Sequence, residues 1–128
     1  MLHELLEHYL DDIDIVLRNL KKTYAEKYET EILSAERLNL RIRLRFENGN
    51  LFELNEALIV ENEILKHLGY RYHFQDEKSK LVFRYDNTPH FPDLNNFPDH
   101  KHMPDNVIEC NKPDASDVIA EAVKECGC

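Results

Sequence analysis

Residues 84–102 read RYDNTPHFPDLNNFPDHKH and gather Arg84, Asp86, His90, His100, Lys101 and His102 into one short stretch. An unperturbed histidine titrates near pH ~6.5 and can take or give a proton at cellular pH, while lysine and arginine can steady an anionic transition state. Cutting RNA without a metal needs this set: a base for the 2′-hydroxyl, an acid for the 5′-leaving oxygen, and cations on the phosphate. Asp86 would orient a histidine or an arginine. Four of the five prolines, Pro89, Pro92, Pro98 and Pro104, lie in or just after this stretch and restrict its backbone. The plainer reading is a loop that caps a sheet edge, with Phe91, Leu94 and Phe97 as apolar plugs.

Metal chemistry competes for the same residues. His100-x-His102, with His90 and Asp86 or Asp99, offers enough nitrogen and oxygen ligands for zinc or manganese. HxH is a common pattern, however, no HExxH accompanies it, and Lys101 between the two histidines should repel a cation. The expectation is acid–base chemistry without a resident metal or other cofactor.

A second group is built on alternation. Arg37, Asn39, Arg41, Arg43 and Arg45 alternate with Leu38, Leu40, Ile42, Leu44 and Phe46, the period of a half-buried strand. Arginine forks two residues apart can follow a phosphate backbone, although a charged outer face balanced by Glu31, Glu36, Glu53 and Glu56 is ordinary in antiparallel sheets. Arg71, His73 and Arg84 would extend the basic face. Tyr72 could stack on a base, but its parity favours the core. The expected RNA-binding set is Arg41, Arg43, Arg45, Arg71, Tyr72 and His73.

The elements that position these groups follow from the apolar pattern. Leu2, Leu5, Leu6, Tyr9, Leu10, Ile13, Val16, Leu17 and Leu20 recur at helical steps, which predicts a helix from residue 2 to about 27. Asn48-Gly49 signals a tight hairpin between the arginine strand and a return over 51–60. Ile64, Leu65 and Leu68 fit either a helical turn or more sheet. Residues 70–75 and 80–86 read as a second hairpin, with Tyr70, Tyr72, Phe74, Leu81, Phe83 and Tyr85 inward and Arg71, His73, Gln75, Val82, Arg84 and Asp86 outward. A short helix is expected near 113–123, with Asp114 or Ser116 as its cap. The expected fold is α+β: one domain over 1–128, an antiparallel sheet of four to five strands, and both helices packed on it.

The 128 residues are 42% hydrophobic and 32% charged, which suits a compact domain with a modest core. A formal net charge of −9 counts against a polyanionic partner unless the cations are grouped, as these are. No apolar run approaches the ~20 residues that span a bilayer, and the start resembles no secretory signal, so a cytoplasmic protein is expected. The odd cysteine count, with Cys110, Cys126 and Cys128, implies no disulfide framework. The terminal Cys-Gly-Cys reads as a frayed tail, with a thiol pair or a weak metal clamp as alternatives.

The run YRYHFQDEKSKLVFRYDNTPHFPDLNNFPDHKH closely resembles the signature of TumE-type proteins, the toxin partners of toxin–antitoxin systems. That signature has a tyrosine-rich strand and a short hairpin, then (I/V)FRYDN-PH-P and FPHHKH. Tyr70, Tyr72, His73, Gln75 and Asp76 match it, as do Phe83 to Asn87, Pro89, His90, Phe97, Pro98 and His100 to His102. Phe91 and Asp99 stand where relatives carry histidine. The resemblance implies a small toxin, an RNA-cleaving inhibitor of translation, restrained by a helix-turn-helix antitoxin. A non-catalytic RNA- or protein-binding module and a metal-dependent phosphodiesterase are the alternatives, and a homodimer is left open.

Overall fold

The computed structural model describes residues 1–89 and 97–127. Helix α1 (Glu4–Arg18) leads into seven strands: β1 (Thr23–Ser34), β2 (Arg37–Phe46), β3 (Leu51–Glu61), β4 (Ile64–Gln75), β5 (Leu81–Asp86), β6 (His100–His102) and β7 (Val107–Glu109). Helix α2 (Ala115–Cys126) follows. The strands form one antiparallel meander in chain order, β1 to β7. The α+β class and both helices agree with expectation; a sheet of four to five strands does not.

Three strands account for the difference. β1 is nearly all exposed, and Tyr24, Tyr28, Ile32 and Leu33 all face solvent, so neither face shows the apolar alternation that marks a half-buried strand. The helix expected to reach residue 27 therefore ends at Arg18, and Lys22 at φ 55° turns the chain into the sheet. β6 and β7 have three residues each, too few to carry a periodic signal. The chain does not leave the sheet after β5, because these strands return and pair with it.

The β3–β4 connection also has a local cause. Asn62 and Glu63 both adopt positive φ, at 52° and 61°, with Glu61 paired to Ile64. Two left-handed residues in succession make the primed turn that suits strand twist, so Ile64 to Gly69 continue the sheet rather than forming a helical turn. At the β2–β3 hairpin Gly49 has φ 95°, and a Cβ there would lie 2.9 Å from the Glu77 Cβ, so glycine is needed twice over.

The core lies between one sheet face and the two helices. Leu40, Ile42, Leu44, Phe46, Phe52, Leu54, Tyr72, Phe74 and Phe83 meet Ile13 of α1 and Val118, Ile119 and Ala122 of α2. Leu6 joins Leu38, Leu58 and Val60 in a second cluster at one end. Every apolar position expected on α1 is in or against these clusters, although the helix itself is shorter. Truncating a buried phenylalanine such as Phe52 to alanine would cost ~3–5 kcal/mol. Among the described residues no helix is long and apolar enough to cross a membrane.

With one face covered, register decides what the other presents. Arg41, Asn55, Arg71, Asp86 and His100 are successive cross-strand partners, and so are Arg43, Glu53, His73, Arg84 and His102. Two rows thus run across the uncovered face at ~4.8 Å per strand. A register shift between Phe74 and Gln75 sets Leu81 opposite Gln75, and Val82 packs against the core, so the predicted facing fails at that end of β5.

Candidate functional site

β6 pairs with β5 so that His100 lies opposite Asp86 and His102 opposite Arg84. Side chains alternate along a strand, which sends the two histidines to the uncovered face and Lys101 to the other. The result is a tight cluster of ligand-type atoms. His100 Nε2 is 2.8 Å from Asp86 Oδ1, His102 Nε2 is 3.4 Å from Asp86 Oδ2, and the two Nε2 atoms are 3.0 Å apart. Asp86 and His100 are buried, and His102 is partly so.

Outer contacts hold this arrangement. His100 Nδ1 lies 2.9 Å from the Pro98 carbonyl oxygen, the Thr88 N–H donates to Asp86 Oδ1 at 3.1 Å, and Arg84 Nε donates to Asp86 Oδ2 at 3.3 Å. Burial lowers the pKa of His102 below its ordinary value, with further lowering from the Arg84 guanidinium, although Asp86 pulls the other way. His73, in the same row, is also lowered, first by burial and then by Arg71 and Arg84 against an opposing Gln75 hydrogen bond.

Lys101 belongs to a different assembly. Its Nζ donates to Glu121 Oε2 on α2 at 2.7 Å and lies over the Tyr85 ring, 4.7 Å from the centroid. Burial opposes its charge, but hydrogen bonds with Glu121 and Tyr85 outweigh burial and raise its pKa. This corrects two expectations. Lys101 does not share a site with the histidines, and it does not stand where it would repel a cation from them.

Tyr72, expected as a stacking platform, is fully buried and donates to Glu56 Oε2 at 2.6 Å. Asp99 accepts from the Tyr70 hydroxyl at 2.6 Å and is not part of the His100 cluster. His90, with Phe91, Pro92 and Leu94, lies outside the described residues, as does Cys128. Cys126 ends α2 packed against the core rather than in a frayed tail, and burial pushes the Cys110 thiol up to about 11.

The arginines divide in two. Arg43 pairs with Glu53 at 3.2 Å, and Arg45 pairs with Glu26 at 3.2 Å and donates to the Gly49 carbonyl at 3.1 Å, so the expected balancing by glutamate holds in part. Arg41 and Arg71 are exposed and make no salt bridge among the described residues. They line a shallow groove of about 490 Å³ with Asn39, Asn55, Asn87 and Thr88. Asp86 continues the Arg41–Asn55–Arg71 row, so the groove leads along the sheet toward the cluster.

One polar centre escaped the sequence reading. Glu56, expected to balance the arginines outside, is buried beneath α1 and accepts from the Tyr9 and Tyr72 hydroxyls, with His67 Nε2 2.7 Å away. Its parity was the available signal, because Glu56 shares a strand face with Phe52, Leu54, Leu58 and Val60.

Among protein-family models, the one described as Toxin TumE matches residues 13–127. No curated protein and no solved structure matches the chain.

Proposed function

Because the chain belongs to the TumE toxin family, we propose that it is the toxin of a toxin–antitoxin pair and that it acts by cutting RNA, thereby inhibiting translation. Family membership implies a cognate antitoxin; we propose the helix-turn-helix type. The observation that carries the nuclease reading is the convergence of Asp86, His100 and His102, in the cross-strand row that continues from Arg41 and Arg71 of the groove. In this reading Arg41 and Arg71 hold the phosphates of a single strand, and Arg84, paired to Asp86, is placed beside the reacting phosphate. Asp86, His100 and His102 supply the lone pairs that activate the attacking oxygen, by taking its proton or by holding a cation that does so. Arg43, Arg45 and His73 border the same face. Lys101 and Tyr72 take no part, since both are committed to the covered face.

The test is direct cleavage of end-labelled single-stranded RNA by purified protein, beside growth arrest on induction. Discrete 3′ ends should appear with the wild type and vanish with His102→Ala. RNA left intact by a protein that still arrests growth would reject the nuclease and favour the alternative, a binding module that uses the arginine groove alone.

A further inference from the structure

We infer that Asp86, His100 and His102 form a binding site for a single divalent transition-metal ion of the zinc or manganese class. The ion's catalytic role rests on the nuclease reading above, whereas its binding stands on the geometry alone.

A backbone carbonyl can only accept, so the contact from His100 Nδ1 to the Pro98 oxygen at 2.9 Å requires the proton on Nδ1. The other nitrogen, Nε2, faces the Asp86 Oδ1 carboxylate oxygen at 2.8 Å, and both atoms belong to buried residues. An imidazole nitrogen and a carboxylate oxygen that close share a positive charge, either a proton on Nε2 or a cation.

His102 Nε2 stands 3.0 Å from His100 Nε2 and 3.4 Å from Asp86 Oδ2, so three ligand-type groups converge on one point. A cation touching all three would satisfy these contacts together. The spacing is of the right order for such an ion: ligand atoms ~2.0–2.1 Å from zinc stand ~3.3 Å apart at the tetrahedral angle, and here one ligand atom from each residue lies within 4.8 Å of the others, with His100 Nε2 2.8 Å from Asp86 Oδ1 and 3.0 Å from His102 Nε2.

The surroundings are those of a metal centre. A ligating histidine commonly gives its second N–H to a backbone carbonyl, as His100 does to Pro98, and a ligating carboxylate is commonly hydrogen-bonded in turn, as Asp86 is by Thr88 and Arg84. Two imidazoles and a carboxylate are a borderline set that suits zinc, manganese or ferrous iron better than calcium or magnesium. Among the described residues three protein ligands converge, the number that catalytic sites commonly use. In such a site an ion would polarise a phosphoryl oxygen or lower the pKa of bound water. The objection that Lys101 would repel it has gone, since that ammonium lies on the opposite sheet face with Glu121.

The experiment uses the full chain, stripped with chelator and titrated calorimetrically with Zn²⁺, then with Co²⁺ to read the visible bands of a coordinated ion. One ion per chain is expected, with affinity at least ~10-fold weaker in His102→Ala and in Asp86→Asn. His8→Ala should bind like the wild type, and circular dichroism checks that each variant is folded. No saturable binding, or binding that persists in folded His102→Ala, overturns the inference. RNA cleavage is scored separately: a bound ion without cleavage upholds the metal site and sinks the nuclease reading, whereas cleavage by a chain that binds no ion does the reverse.

Discussion

Lys101 and Glu121 join the sheet to α2 at 2.7 Å, on the face opposite the two histidines that flank Lys101 in sequence. Lys101→Met should therefore act on stability rather than on chemistry. For a partly buried pair the loss should be about 1 kcal/mol, seen as a lower urea midpoint, with growth arrest retained at a temperature where the variant is folded. A Lys101→Met protein that is fully folded yet non-toxic would return this residue to the site.

His100→Ala, His102→Ala and Asp86→Asn should each abolish growth arrest, and cleavage should fall by at least ~10²-fold. Their effects should be strongly non-additive, because the three atoms act on one point and removing any of them disables the rest. The double variant His100→Ala/His102→Ala measured beside the single ones checks this. Losses that multiply would mean independent roles.

The exposed arginines should govern salt dependence. If Arg41 and Arg71 contact phosphates, each change to alanine should weaken RNA binding with little regard to sequence and lower the slope of log K against log salt by ~0.7. Arg45→Ala should change the slope less, since its guanidinium is engaged by Glu26 and the Gly49 carbonyl. Filter binding across a salt series gives the three slopes.

Alkaline pH should expose the buried centre under α1. Burial first, and then the Glu56 carboxylate, hold the Tyr9 and Tyr72 phenols far above their ordinary pKa of 10.0. A group raised in the folded state contributes stability that is complete below the unfolded value and declines above it, because only the unfolded chain then loses the proton. Above pH 10 the unfolding free energy should fall by up to ~2.7 kcal/mol per pH unit for two phenols. Urea midpoints for wild type and Tyr9→Phe check it; in the variant the slope should be smaller by up to ~1.4 kcal/mol per pH unit.

Much of this molecule was legible from periodicity. The helical spacing of Leu6, Tyr9, Leu10 and Ile13 and the alternation of Leu38 to Phe46 each depend on one buried face, and both faces are as expected. β1 escaped because both its faces meet solvent, and the β3–β4 turn escaped because glutamate gives no sign of positive φ. β6 is too short to show a period, so the sequence alone leaves Lys101 beside the histidines that flank it.

By itself the sequence determined the residue types, the family signature and the parity of β2 and of residues 70–75 in β4, because these are local properties of the chain. It could not determine which groups meet, since contact between Asp86 and His100 depends on β6 returning to pair with β5. The tertiary structure alone decided that the HKH triplet splits across the sheet, His100 and His102 turning to Asp86 and Lys101 to Glu121. The physical reason is the two-residue alternation of a strand, which acts on these three residues only once pairing has made them one.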